Sequence, residues 1–220
     1  MEAPVAAILA GGASRRMGRD KALLRLPDGL PVCTAVVEAA RTVASRVILL
    51  VDHEEHARAL LRVLTPPLPQ VLLDRAPGAG PLASLAGALG AVEAPALLLL
   101  AVDMPLVSPA VLRMLHARWR DTACHIVAPV VGGEEQPMPA CYDTRLASNA
   151  TRLLAEGRRD LRALREALGV RVHRLEEADL VRADPDLRSF RGINTPEEWA
   201  DVLVRAAGAP SFASGSTHGV

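Results

Sequence analysis

The run AILAGGASRRMGRDK at positions 7–21 constrains this chain more than any other stretch. Val5 to Leu9 reads as a short buried strand. It opens directly into a loop where Gly11 and Gly12 supply backbone freedom and lack a Cβ, so that main chain can approach a ligand closely. Arg15, Arg16, Arg19 and Lys21 follow within ten residues of those glycines. Outward-facing N–H groups with cations beside them form a site for polyphosphate. Two familiar glycine loops are excluded by spacing. The P-loop requires G-x-x-x-x-G-K-[ST], but five residues separate Gly12 from Gly18, and Lys21 falls two positions late with no hydroxyl after it. The dinucleotide fingerprint G-x-G-x-x-G fails because Gly11 and Gly12 are adjacent.

Downstream, apolar strands and helical spacings alternate. Helices are predicted over Pro31–Ala44, His53–Leu64 and Leu82–Val92, and from Ser108-Pro109 onward. Strands are predicted at Arg46–Val51, Val71–Leu73, Ala96–Val102 and His125–Pro129. Gly132-Gly133 reads as a hairpin turn with Met138–Tyr142 as the partner strand. Asp143–Leu168 reads as two helical segments broken near Gly157, and Arg171–Leu175 as a late strand and a candidate for antiparallel pairing. Thr195-Pro196-Glu197-Glu198 carries the T-x-x-E capping box, opening a last helix to about Ala206. This order predicts an α/β fold with a mostly parallel central sheet covered on both faces. In such a sheet, sites gather at the carboxyl ends of the strands, where Gly11, Asp52, Asp74 and Asp103 would all fall.

A chain of 220 residues suits one domain, expected over residues 1–207, with 208–220 a small polar tail expected to be disordered. The 25 basic and 25 acidic side chains cancel, so no global surface for nucleic acid or membrane is indicated and the basic loop must act locally. With 2% aromatic residues there are too few rings for base-stacking platforms. Cys33, Cys124 and Cys141 are odd in number and widely spaced, which points to a reducing cytoplasm rather than a disulfide framework. The longest apolar run, Ala94 to Val102, is far short of the ~20 residues that span a bilayer. No pattern speaks to oligomeric state.

Asp103 follows the apolar run at Ala96–Val102 and precedes Met104-Pro105, a turn that would present its carboxylate. Mg²⁺ needs only one or two carboxylates plus substrate phosphates, although an aspartate here could equally cap a helix. Lys21 would act as a point charge and Arg16 as a bidentate fork for phosphates. Asp20 reads as a capping or ion-pair partner of Lys21, and Arg15 and Arg19 as surface charges. His53-Glu54-Glu55-His56 places its histidines three apart, where the zinc motif H-E-x-x-H needs four, so it is set aside as a metal site.

The pattern L-A-G-G-x-S-x-R-M-G-x-D-K, present from Leu9 to Lys21, resembles the signature of the MobA family of molybdenum cofactor guanylyltransferases. Asp103-Met104-Pro105, Gly80-Pro81-Leu82-Ala83 and Asn194-Thr195-Pro196 resemble further motifs of that family. The resemblance implies a three-layer, Rossmann-like nucleotidyltransferase (GT-A-like) fold. It also implies transfer of GMP from GTP to molybdopterin or the molybdenum cofactor, with release of pyrophosphate. It assigns Leu9, Ala10, Gly11, Gly12, Lys21, Asp74 and Asp103 to the nucleotide, Asp103 to Mg²⁺, and Lys21, Arg16 and Asp103 to catalysis. Pro81 and Asn194 fall near the acceptor or behind the metal, and Asn194 could instead only start the last helix. Asp74 could receive donors of guanine or of ribose. Gln136 to Pro139 aligns loosely with an acceptor-side segment. Two positions depart from the family pattern: Ser84 replaces the last glycine of G-P-L-A-G, and Leu50 stands where the guanylyltransferases tend to carry asparagine. Cytidylyl transfer to the same cofactor, another MobA-like transfer and a non-catalytic nucleotide-binding regulator are the alternatives.

Overall fold

Alternation along the apolar strands decides the layering. In the computed structural model, which describes residues 3–11, 20–74 and 78–207, the strands β1 (Val5–Leu9), β2 (Arg46–Val51), β3 (Gln70–Leu73) and β4 (Ala96–Ala101) lie parallel in the order β3-β2-β1-β4. Ala6, Ile8, Leu98 and Leu100 face one side of this sheet; Val5, Ala7, Leu97 and Leu99 face the other. The first side packs on α1 (Val32–Arg41), α2 (Glu54–Leu61) and α4 (Pro109–Asp121), and the second on α3 (Pro81–Ala91), α5 (Ala147–Ala155) and α6 (Leu161–Arg165). Because both faces are covered, Leu97 to Leu100 are all fully buried, which is why β4 reads as an unbroken apolar run. Each such leucine stabilises the fold by about 1.5–3 kcal/mol.

The second half of the sheet mixes strand directions. β7 (Ala140–Asp143) lies antiparallel between β4 and β5 (Ile126–Val131), with Cys141 opposite Leu98 on one side and Val127 on the other. Gly132 and Gly133, at φ 59° and 82°, make the expected hairpin turn. Its return strand is the two-residue β6 (Glu134–Glu135), which pairs with Val130 and Val131, whereas the predicted partner reaches only the start of β5 at Ile126 and Val127. β8 (Val172–Leu175) corrects a second expectation, since it runs parallel to β5 from Ile126 to Pro129. β7 runs against β5, and the chain that leaves it through α5 and α6 on one sheet face re-enters at β8 running opposite to β7, and so parallel to β5. α2 is shorter than predicted, with His53 in extended conformation at its N-cap.

Two local devices set the ends of the site. Gly80 has φ 87° and ψ 172° at the N-cap of α3, and a Cβ there would lie 2.7 Å from the carbonyl oxygen of Arg159. That carbonyl accepts from the Leu82 N–H at 3.1 Å, so only glycine fits between them. At the other end, Thr195 and Glu198 form the predicted capping box: Glu198 N–H donates to Thr195 Oγ1 at 3.2 Å, and Glu198 Oε2 accepts from the Thr195 N–H at 3.0 Å. α7 (Glu177–Leu180) and α8 (Pro196–Ala207) complete the described chain. α8 buries Val202 with Leu26, Val32 and Ile193 in a small third apolar cluster that joins the beginning of the chain to its end.

Candidate active site

The parallel ladder continues one residue past the strand ends. Ala10 N–H donates to the Leu50 carbonyl at 2.9 Å, Val102 N–H to that of Leu9 at 2.9 Å, and Asp74 N–H to that of Val51 at 2.7 Å. These bonds align Gly11, Asp52, Asp74 and Asp103 at the carboxyl edge, as the spacing predicted. Gly11 has no left-handed φ, and a Cβ there would meet Asp52 at an ordinary 3.5 Å. Its use is therefore bare, exposed backbone and not the conformational freedom expected of it. Gly12, Arg15, Arg16 and Arg19 lie outside the described residues, as do 208–220.

Lys21 begins a 3-10 turn, Lys21–Leu23, that Asp20 caps: Asp20 Oδ1 accepts from the Ala22 N–H at 3.0 Å. The capping role read from the sequence is the one observed. Lys21 Nζ donates to Asn194 Oδ1 at 3.0 Å and lies 3.7 Å from Asp103 Oδ2. Burial pushes the Asp103 carboxyl above the usual carboxylate range, and the Lys21 ammonium opposes that shift. Among the described residues Lys21 brings the one ammonium to this carboxylate, and a divalent cation would add to that compensation.

Asp103 is held by its own backbone as well. Its carbonyl accepts from the Ile193 N–H at 3.0 Å, so the segment before α8 docks on the Asp103 turn and delivers Asn194 to Lys21. Asn194 thus joins the site through Lys21, while its backbone N–H is held by Glu198. The resulting cavity, about 570 Å³, is lined by Leu9, Ala10, Gly11, Lys21, Pro81, Asp103 and Asn194 among others, and reaches Gln136 and Met138 of the segment predicted to lie near an acceptor.

Asp74 opens on a different cavity. That one, about 520 Å³, lies between Leu50 and Leu72 on the sheet and Ala83, Ser84 and Gly87 on α3. Ser84 Oγ donates to Asp74 Oδ2 at 3.0 Å, so the residue that departs from the family pattern engages one face of this aspartate. The first turn of α3 joins the two cavities, with Pro81 in one and Ala83 in the other. A larger groove of about 1050 Å³ lies near β6 and β8, where Glu135 is 3.4 Å from Arg165 and 2.5 Å from Arg174. Arg162 and Glu166 on its wall also pair, at 2.6 Å.

Sequence reasoning missed His56. It was set aside with His53, yet it turns inward to the wall of the cavity that holds Lys21 and Asp103. Asp52, one helical turn earlier, was the available signal, because residues four apart share a helix face. Asp52 Oδ1 lies 2.6 Å from His53 Nδ1 and 3.4 Å from His56 Nδ1. Among the described residues these three side chains bring ligand atoms within 4.8 Å of one another; the 2.6 Å contact is a hydrogen bond.

Comparisons with known proteins agree with this architecture. A probable molybdenum cofactor guanylyltransferase from Methanothermobacter thermautotrophicus is 31% identical over 195 residues, covering 87% of this chain and 95% of the relative. Another from Mycobacterium avium is 34% identical over 193 residues, covering 83% and 92%. Among solved structures, molybdopterin-guanine dinucleotide biosynthesis protein A from Archaeoglobus fulgidus superposes with a TM-score of 0.80 at 24% identity, covering 93% of this chain and all of that one. It shares the α/β nucleotidyltransferase fold. The profile of the MobA-like NTP transferase domain matches residues 6–173, and with relatives of this identity and coverage the chain belongs to that family.

Proposed function

We propose that this chain transfers GMP from GTP to the terminal phosphate of molybdopterin or its molybdenum-loaded form, releasing pyrophosphate. The observation that carries the reading is the convergence of Lys21, Asp103 and Asn194 at the carboxyl ends of β1 and β4, beside the bare backbone of Leu9 to Gly11. The names of the relatives support the acceptor, and the strand-end carboxylates support the metal.

In this reaction an oxygen of the acceptor phosphate bonds to the α-phosphorus of GTP, and the bond from that phosphorus to the bridging oxygen of pyrophosphate breaks. The second ionisation of a phosphate monoester lies near pH 6, so the nucleophile is already an anion at neutral pH and needs no general base. The demand is to align two anions and neutralise their charge. Lys21 supplies a fixed positive charge, kept in place by Asn194. Asp103 would hold Mg²⁺, which polarises phosphoryl oxygens and offsets charge on the leaving pyrophosphate. Its half-buried carboxylate, with Lys21 as ammonium partner among the described residues, fits a divalent cation. Asp74 accepts donors from the nucleoside, at the guanine or the ribose, on the cavity beside Ser84. By family resemblance Gly12 and Arg16 join the phosphate site. Residues 1–207 form one transferase domain in this reading.

Three buried, unpaired cysteines support a reducing cytoplasm as its location. Among the described residues no helix is long and apolar enough to cross a membrane.

Pyrophosphate release measured with molybdopterin as acceptor, GTP against CTP and Mg²⁺ against chelator, tests the proposal. The expected result is metal-dependent turnover preferring GTP. A preference for CTP overturns the base assignment alone, and GTP binding without turnover overturns the catalytic reading.

A further inference from the structure

His56 lies on the wall of the Lys21 cavity, yet the proposed chemistry gives it no task. Its side chain is 13% exposed, with Nε2 3.0 Å from Asp20 Oδ2 and Nδ1 3.4 Å from Asp52 Oδ1. A neutral imidazole carries one N–H and can serve one carboxylate; facing two, it is satisfied only as imidazolium. The Nε2 contact with Asp20 is a 3.0 Å ion pair, which requires the imidazolium charge. The location works against a cation, because His56 is in the first turn of α2, where the helix dipole favours anions. The two carboxylates outweigh that effect, and the imidazole is held above its ordinary range, first by Asp20 and then by Asp52, against the opposing effect of burial.

What those carboxylates touch gives the histidine its significance. Asp52 lies against Gly11, the last described residue before segment 12–19; Asp20, the first described residue after it, caps the turn that begins with Lys21. His56 therefore bridges the two ends of the basic loop. We propose that His56 is a positioning residue for nucleotidyl transfer: as an imidazolium between Asp52 and Asp20, it fixes the ends of the loop and holds Lys21 in register with Asp103. This rests on the reading of Lys21 as the charge that meets the phosphates. Among the described residues, the other titratable groups near it are His53, whose ring centroid is 5.8 Å away, Cys33 on α1 near Asp20, whose thiol burial pushes up to about 11 and keeps neutral, and Lys21, Asp103 and Glu198 on the wall of the same cavity.

The test is a double-mutant cycle on pyrophosphate release with GTP, molybdopterin and Mg²⁺. It compares wild type, His56→Ala, Lys21→Ala and the double variant, with His56→Gln and wild type followed across pH and thermal melting as the folding control. His56→Ala is expected to lower kcat on the order of tenfold with little change in KM, the cost of misaligning a charged group. In the Lys21→Ala background the same change should cost less than about twofold, because the partner it positions is gone. Wild-type activity should fall along an alkaline limb above pH 6.5, the ordinary value from which His56 is raised, as the imidazole loses its proton, and His56→Gln should lack that limb. Full additivity with an impaired Lys21→Ala overturns the positioning role alone. Near-normal turnover of Lys21→Ala overturns the reading of Lys21 and this proposal with it. Should His56→Ala fail to fold, the wild-type and His56→Gln profiles decide, and a wild-type profile flat over that range overturns the proposal.

Discussion

Lys21 Nζ and Asn194 Oδ1 are 3.0 Å apart although 173 positions separate them in the chain. That contact determines where the ammonium rests relative to Asp103, and Asn194→Ala removes it without adding charge or bulk. Hydrogen bonds to charged groups contribute about 1.5–3 kcal/mol, and part exposure of Lys21 places this one at the low end, so kcat should fall about tenfold. Steady-state kinetics with unchanged thermal melting would establish it; unchanged kcat would show that Lys21 finds its position unaided.

Asp103→Asn separates metal binding from folding. Because burial raises the Asp103 pKa, its native state binds the proton more readily than the unfolded chain does. Stability from this group is present at low pH and is lost as pH rises through its pKa values, so the ionised carboxylate is a cost at neutral pH. In metal-free buffer at pH 7 the neutral asparagine should melt at the same temperature or higher. Adding Mg²⁺ should raise the melting temperature of wild type and leave the variant unmoved, while pyrophosphate release by the variant is nearly abolished.

The Asp20–His56 pair predicts a bounded pH window in stability. His56, raised above its ordinary 6.5, contributes fully below that value and loses its contribution as pH climbs through its folded pKa. Asp20, lowered below its ordinary 3.8 chiefly by His56, contributes above 3.8 and loses its contribution as pH falls through its folded pKa. The difference in melting temperature between wild type and His56→Ala should therefore be largest between 3.8 and 6.5 and shrink on either side. A constant difference across pH would mean that packing, not charge, accounts for it.

Gly80→Ala should be costly for its size. The conformation at φ 87° and ψ 172° is one that side chains avoid, at about 1–3 kcal/mol, and the added methyl would also press on the Arg159 carbonyl. Denaturant unfolding should show a loss of about 2 kcal/mol or more. Gly90→Ala, where a Cβ meets nothing within 4 Å inside α3, should be neutral or stabilising.

Ser84→Gly removes the hydroxyl that donates to Asp74 Oδ2. If Asp74 meets the nucleoside, KM for GTP should shift severalfold with kcat nearly constant, the behaviour of a contact made equally in ground and transition states. A change in kcat alone would place Asp74 nearer the reacting phosphates.

The sheet's first half was legible because β1, β2 and β4 are buried on both faces and must be apolar throughout, which leaves their limits visible in residues such as Asp52 and Asp103. Its second half was less so. β7 is four residues long and ends on the buried Asp143, whose carboxylate pairs with Arg145 and reads as a turn signal. Nothing in period-2 alternation says which neighbour a strand takes, so β8 was given the wrong direction. At the site, Lys21 and Asp103 stood out by type and setting, and Asn194 only through the resemblance to the family's motif. His56 did not, since its partner Asp20 is 36 positions away and only the fold brings them together.

The small apolar cluster of Leu26, Val32, Ile193 and Val202 ties the first strand's loop to the last helix. During synthesis, the residues proposed to meet the phosphates leave the ribosome early, while the turn that carries Asn194 to Lys21 emerges only after the described strands. A nascent chain halted after β8 would hold every described strand and lack Asn194. Catalytic competence would then arrive abruptly, as a late event of biogenesis set by the docking of α8.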